Sequence, residues 1–194
     1  MAGATFTEKL KGSFDLLLLF GRGIKPFEKE GTFRDAMRSL WIPVLMTPLN
    51  FIAAYFHHPQ GLEDQPYSTV AVIVGVMGVL GFVIITGFGW AFALAMGKME
   101  RFWLWFQVGN WMTIPFNIIG VPLVALACTD WFAKAEMDRI LTAVTYYGVI
   151  VSGCVIFRAL KISWEMAGFF ALMSVMPLQL LYNALFSMYG LQAP

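Results

Sequence analysis

His57-His58, followed by Glu63 and Asp64, is the one stretch of the chain whose side chains resemble a set of metal ligands. Zinc needs three or four donors in a fixed geometry. Adjacent residues on a helix do not face the same way, and no third ligand stands at a defined spacing. A solvated loop is therefore the expectation, with no metal site. The sequence has no GxSxG, no HExxH, no CxxC and no glycine-rich phosphate loop. Gly21-Arg22-Gly23 does not qualify as one, because no strand precedes it. Cys128 and Cys154 fall at opposite ends of neighbouring apolar stretches, so most of a membrane thickness would separate them and a disulfide is geometrically excluded. The expectation is a chain with no catalytic residues and no cofactor, and not an enzyme.

The placement of ionisable residues carries further information. An acid or base deep inside an apolar span is costly and marks proton relays and ion paths. Here every Asp, Glu, Lys, Arg and His lies in a loop or close to the end of an apolar stretch. That weighs against proton-coupled transport and against an intramembrane acid–base pair, while leaving a passive pore open. Neutral polar residues do enter the apolar stretches: Asn50, Thr86, Gln107, Asn110, Thr113, Asn117, Ser152, Gln179 and Asn183. The richest segment reads FQVGNWMTIPFNIIGVP, with prolines at 115 and 122 that each remove a backbone donor and free a carbonyl one turn earlier. Gln107, Asn110, Thr113 and Asn117 then have two readings. They are interhelical hydrogen-bonding groups in an irregular central helix, or they line a polar groove for a solute or lipid headgroup. Gly75, Gly78, Gly81 and Gly89 form a second set, whose small size lets helix backbones approach closely, within the bundle or against a partner's helix.

The elements that must position these residues follow from composition. Apolar residues make up 59% of the 194 and charged residues 13%, a balance that places the chain in lipid. Net charge is only +1 and no basic stripe alternates with stacking aromatics, so nucleic acid is not an expected partner. Apolar stretches at about 40–56, 67–96, 102–127, 140–157 and 164–189 predict five transmembrane helices in a domain spanning 32–194. Thr32, three before Asp35, is placed to cap the helix that leads into the first span.

Residues 1–31 form a separate unit. Thr5-Phe6-Thr7-Glu8 has capping-box spacing, and Phe6, Leu10, Phe14 and Leu18 recur every fourth residue. This predicts an amphipathic helix in the cytoplasmic interface, with 21–31 as a turn-rich connector. The apolar run from Leu16 to Phe20 is too short for a signal peptide, so the segment is expected in the mature protein. Its lysines and arginines could attract anionic headgroups, but Glu8, Asp15, Glu28 and Glu30 dilute that patch. With the N-terminus inside, eleven of the 13 basic residues fall on the cytoplasmic side and only Lys134 and Arg139 outside. That bias supports an odd number of spans, with the N-terminus cytoplasmic and the C-terminus outside. Trp41, Trp90, Trp103, Trp131 and Trp164 lie near span ends, where an indole can be half wet.

This layout resembles the Yip1-domain superfamily, in particular its small alphaproteobacterial inner-membrane members. The residues that carry the resemblance are Phe33-Arg34-Asp35-Ala36-Met37-Arg38-Ser39-Leu40 ahead of Pro43 and Pro48, Gly109-Asn110-Trp111, and Arg158-Ala159-Leu160-Lys161-Ile162. The resemblance implies an all-α, five-helix integral membrane bundle that works by partner binding or membrane organisation. Its expected partners are the bilayer and another membrane protein or a second copy, and it supplies no catalytic residues. The alternative function is a small transporter or channel with a neutral polar path along the third span.

Overall fold

The computed structural model describes residues 4–56, 65–127 and 134–188. These are almost entirely helical, with no strand among them: α1 (Phe6–Leu17), α2 (Lys25–Glu28), α3 (Phe33–Ser39), α4 (Trp41–Phe56), α5 (Tyr67–Ala95), α6 (Met99–Ala127), α7 (Lys134–Leu160), α8 (Trp164–Met173) and α9 (Val175–Met188). His57, His58, Glu63, Asp64, Cys128 and Trp131 lie outside the described residues.

Among the described residues three stretches are long and apolar enough to cross a membrane: Tyr67–Ala95, Arg139–Leu160 and Trp164–Leu185. Most of their surface faces outward, as Val79, Val83, Ile150, Phe169 and Leu172 do. In water a face of that size would drive aggregation, whereas hydrocarbon solvates it.

α6 is the hub, touching α1, α2, α3, α4, α5 and α7. Its first half supplies the largest share of the core, including Phe102, Leu104, Phe106, Val108, Trp111 and Met112. Pro115 and Pro122 do not interrupt it. The Thr113 hydroxyl donates to the Asn110 carbonyl and Asn117 Nδ2 to the Thr113 carbonyl, so extra donors flank the carbonyl of Trp111 that Pro115 leaves without its helical partner. The reversal from α5 to α6 is tight because Gly97 adopts φ +64°. The amides of Gly97 and Lys98 then return to the carbonyls of Leu94 and Ala93, closing the end of α5.

Three elements differ from their sequence outline. Residues 21–31 are more ordered than a turn-rich connector, forming a 3-10 turn (Gly21–Ile24) that runs into α2. Pro26 suits the first turn of α2, and buried Ile24 and Phe27 supply the packing that ordinary turn residues lack. The helix before the first span stops at Ser39 and restarts at Trp41, where Pro43 cannot donate to the Ser39 carbonyl. The last apolar stretch breaks at Ser174, three residues before Pro177, whose missing amide leaves the Met173 carbonyl without its helical partner.

Candidate functional site

The N-terminal segment is built into the bundle. Thr5 caps α1 by accepting from the Glu8 amide, while the Glu8 carboxylate accepts from the Thr5 amide at 2.7 Å. These bonds, first the backbone one and then that from the Thr5 hydroxyl, hold the Glu8 carboxyl below its ordinary value. The face that α1 buries is Gly12, Ser13, Leu16 and Leu17, not the every-fourth-residue stripe: Phe6 and Leu18 remain exposed. Leu16 and Leu17 join Ile24 and Phe27 in one core with Leu104, Val108 and Trp111 of α6 and Val151 and Val155 of α7. Each such side chain contributes about 1.5–3 kcal/mol on leaving water.

Two glycines make this docking possible. A Cβ on Gly12 would sit 2.7 Å from the Gly23 carbonyl oxygen, and one on Gly23 would meet the Gly12 oxygen at 2.5 Å and the Leu16 amide nitrogen at 2.8 Å. α1 and the 3-10 turn therefore cross backbone to backbone, which accounts for the glycine at position 23. The far end of α1 is closed by α7. Tyr147 donates to the Leu17 carbonyl, Arg158 Nη2 donates to the Leu19 carbonyl at 2.9 Å, and Leu19 itself takes φ +65°. A leucine in the left-handed region costs about 1–2 kcal/mol. The amides of Leu19 and Phe20 return to the carbonyls of Leu16 and Asp15, and these bonds together with Arg158 hold it there.

Beneath α1 lies a polar cluster. Lys9 pairs with Glu30, both largely buried, and the Lys9 ammonium stands 5.9 Å from the centre of the Trp111 ring. Gln107, fully buried, points its Nε2 at the same Glu30 carboxylate across 3.5 Å, and its Oε1 has no partner among the described residues. Asn110 Nδ2 donates to the Ser39 hydroxyl at 2.8 Å, and Ser39 in turn donates to the Ala36 carbonyl at 2.7 Å, tying α3 to α6.

The four neutral polar residues expected to act together thus divide. Gln107 points to Glu30, just past α2, and Asn110 to Ser39 of α3, whereas Thr113 and Asn117 bond the backbone of their own helix. The four glycines divide as well. A Cβ on Gly89 would run into the Trp105 ring at 2.2 Å and one on Gly81 would press on Leu178 at 3.2 Å. Gly75 has ordinary room beside Phe51 at 3.6 Å, and Gly78 meets nothing within 4 Å. Tyr147 and Gly12 do not stand out in the sequence, and Lys9, Glu30, Arg158 and Gly23 stand out there only for charge or motif, not for these contacts. For Gly12 a signal was present, since a glycine inside an amphipathic helix costs about 1 kcal/mol relative to alanine without a packing reason.

The cationic ends of the helices gather around this segment. Arg101 and Lys161 both reach Glu28, at 3.3 and 3.9 Å, and Arg101 Nε also donates to the Ala159 carbonyl. Among the described residues no group of three or more His, Cys, Asp or Glu converges as a metal site would require. What the fold defines is an all-helical protein with three helices able to cross a membrane. No family model matches the chain, and neither curated proteins nor solved structures contain a match to it.

Proposed function

We propose that the chain is a non-enzymatic integral membrane bundle with five spans, α4, α5, α6, α7 and α8 with α9. It sits in a bacterial inner membrane, the N-terminus cytoplasmic and the C-terminus outside, and acts through contacts as an accessory or membrane-organising subunit for another membrane protein or a second copy. The observation that carries this reading is the convergence of Arg101, Arg158 and Lys161 on the docked N-terminal segment. Two separate chain reversals, α5 to α6 and α7 to α8, bring cations to the same docked segment, which supports a common cytoplasmic side under the positive-inside rule.

Helix length fits the same frame. α6, with 29 residues, is about 43 Å long, roughly 13 Å more than the hydrocarbon thickness. Counted from Met99, that surplus reaches to about Val108, and it is there that α1 and α2 dock. Gln107 and Asn110 then sit near the headgroup boundary, where polar groups cost far less than at the bilayer centre. The kinship with Yip1-domain bundles belongs to the same proposal, and two of the stretches that carry it meet in the Ser39–Asn110 bond.

Cysteine accessibility in oriented vesicles tests the topology. With Cys128 and Cys154 replaced by serine, a cysteine at Lys25 or Lys98 should react only from the cytoplasmic side, and one at Gln192 only from outside. Reaction of positions 25 and 192 from one side overturns the five-span reading. Solute flux through reconstituted vesicles that Asn110→Leu and Asn117→Leu abolish would overturn the contact function, and capture of a stoichiometric membrane partner in mild detergent supports it.

A further inference from the structure

Between α1 and the turn that leads into α2 runs an open groove of about 370 Å³, walled by Glu8, Lys11, Asp15, Arg22, Lys25 and Lys29. On residue counts the N-terminal segment is nearly neutral, five cations against four carboxylates. Folding pairs three of those four carboxylates with cations. Glu30 is turned inward and paired with Lys9. Asp15 accepts both Nε and Nη2 of Arg22, at 2.9 and 3.1 Å, a bidentate pair that raises the guanidinium's pKa further. Glu28 is taken by Arg101 and Lys161 from other parts of the chain. Glu8 bonds only to the neutral Thr5 and keeps its charge in the groove lining within the field of Lys29, so four cations face two carboxylates there and the groove carries a net charge of +2. Lys11, Lys25 and Lys29 are left without an ion pair among the described residues, facing one groove.

We propose that this groove seats the phosphate-bearing headgroup of an anionic phospholipid. The proposal rests on the cytoplasmic placement of the N-terminal segment given above. Phosphate is the chemistry that three unpaired ammonium groups recognise, as point charges with rotatable donors. A lipid, not a free ion, is the source, because exposed apolar side chains stand next to Arg22 of the groove wall. Phe20 lies with its ring 5.1 Å from the Arg22 guanidinium, and both Phe20 and Leu18 are about half exposed, at 49% and 57%. An acyl chain leaving the headgroup would cover them, which a soluble phosphate cannot do. The groove also opens at the end of the bundle where the other cytoplasmic cations collect, at headgroup level.

The test uses the full-length protein, stripped of lipid in neutral detergent and titrated with phosphatidylglycerol or phosphatidylcholine while bound lipid is counted by native mass spectrometry. The wild type should hold one phosphatidylglycerol in preference to phosphatidylcholine. A lysine near an anionic headgroup surface is worth about fivefold in binding, so Lys11→Gln/Lys25→Gln/Lys29→Gln should weaken that site about a hundredfold. Arg34→Gln/Arg38→Gln/Lys98→Gln removes the same charge from the same end and should leave it within a fewfold. Equal loss in both variants, or no preference for the anionic lipid, overturns the proposal. So does displacement of the lipid by inorganic phosphate at comparable concentration, which would make the site one for free phosphate. Hydrogen exchange of α1 should be unchanged in the lysine variant, which separates loss of the site from loss of the fold. Cysteine labelling as above reports independently on topology, so a failed groove and a failed orientation give different results.

Discussion

Phe27 is the side chain on which docking of the N-terminal segment turns. α2 has only four residues and cannot hold its own place, since a single helical turn is far below the length at which helices persist alone. What holds it is Phe27, fully buried, its ring edge-on to Trp111 at 6.2 Å and surrounded by the shared core of α1, α6 and α7. Phe27→Ala removes that contact and leaves a cavity that Gly12 and Gly23, already in backbone contact, cannot move to fill. The cost is about 3–5 kcal/mol. At 1.4 kcal/mol per tenfold, the population of undocked segment should rise by about two to three and a half powers of ten. Hydrogen exchange followed by mass spectrometry on the full-length protein in neutral detergent measures this directly. Amides in 6–30 should exchange faster by that factor, while those of α5 and α8, which do not pack extensively against the segment, keep their protection. Phe20→Ala, at an exposed ring, should change exchange by no more than the roughly 0.5 kcal/mol of an ordinary surface substitution. Unchanged protection in Phe27→Ala, or loss spreading equally to α5, would show that the segment is not a separately docked unit.

Gly89→Ala should lower the thermal midpoint in detergent, costing about 1–3 kcal/mol as Trp105 is displaced, whereas Gly78→Ala, with open space around it, should be neutral or stabilising by up to about 1 kcal/mol. A double-mutant cycle on Ser39→Ala and Asn110→Ala should give a coupling of about 0.6–1.7 kcal/mol, and zero coupling would mean the bond does not join α3 to α6. The Glu8 carboxyl titrates lower in the fold than its unperturbed 4.5, so its help to the α1 cap is complete above that value and disappears as pH falls through the lower, folded one. Exchange at the start of α1, corrected for its intrinsic pH dependence, should therefore speed up as the pH is lowered below 4.5, and Glu8→Gln should abolish that dependence.

The long elements were legible because their signals are local. A run of some 30 apolar residues with a glycine just past its end states both the length of α5 and the reversal after it, and Thr5 and Thr32 announce their helices by capping spacing alone. What one-dimensional reading missed is what depends on a distant partner. The stripe Phe6, Leu10, Phe14, Leu18 is a genuine helical period, yet the face that docks is the neighbouring one through Gly12, Ser13, Leu16 and Leu17. Two small residues there permit closer approach to the turn at Gly23 than a row of large apolar side chains would. Hydrophobicity ranks faces by transfer energy, whereas docking also ranks them by how near two backbones can come, and that second quantity is not written along one helix.

The same reasoning decides how the charged end should be read. A sum over residues 1–31 treats each carboxylate as a diluent of each cation, which holds only when all are free in solvent. Once the chain folds, Glu28 answers to Arg101 and Lys161, more than seventy residues away, and Glu30 is withdrawn beneath α1. The charge that remains at the surface is therefore set by the long-range packing of α2 against α6 and α7. It follows that a variant that undocks the segment should also blur the basic groove, because it returns Glu28 and Glu30 to the pool from which folding had removed them. Phe27→Ala, with every lysine intact, is accordingly expected to lose the preference for phosphatidylglycerol, and retention of that preference would separate the groove from the docking that is held here to create it.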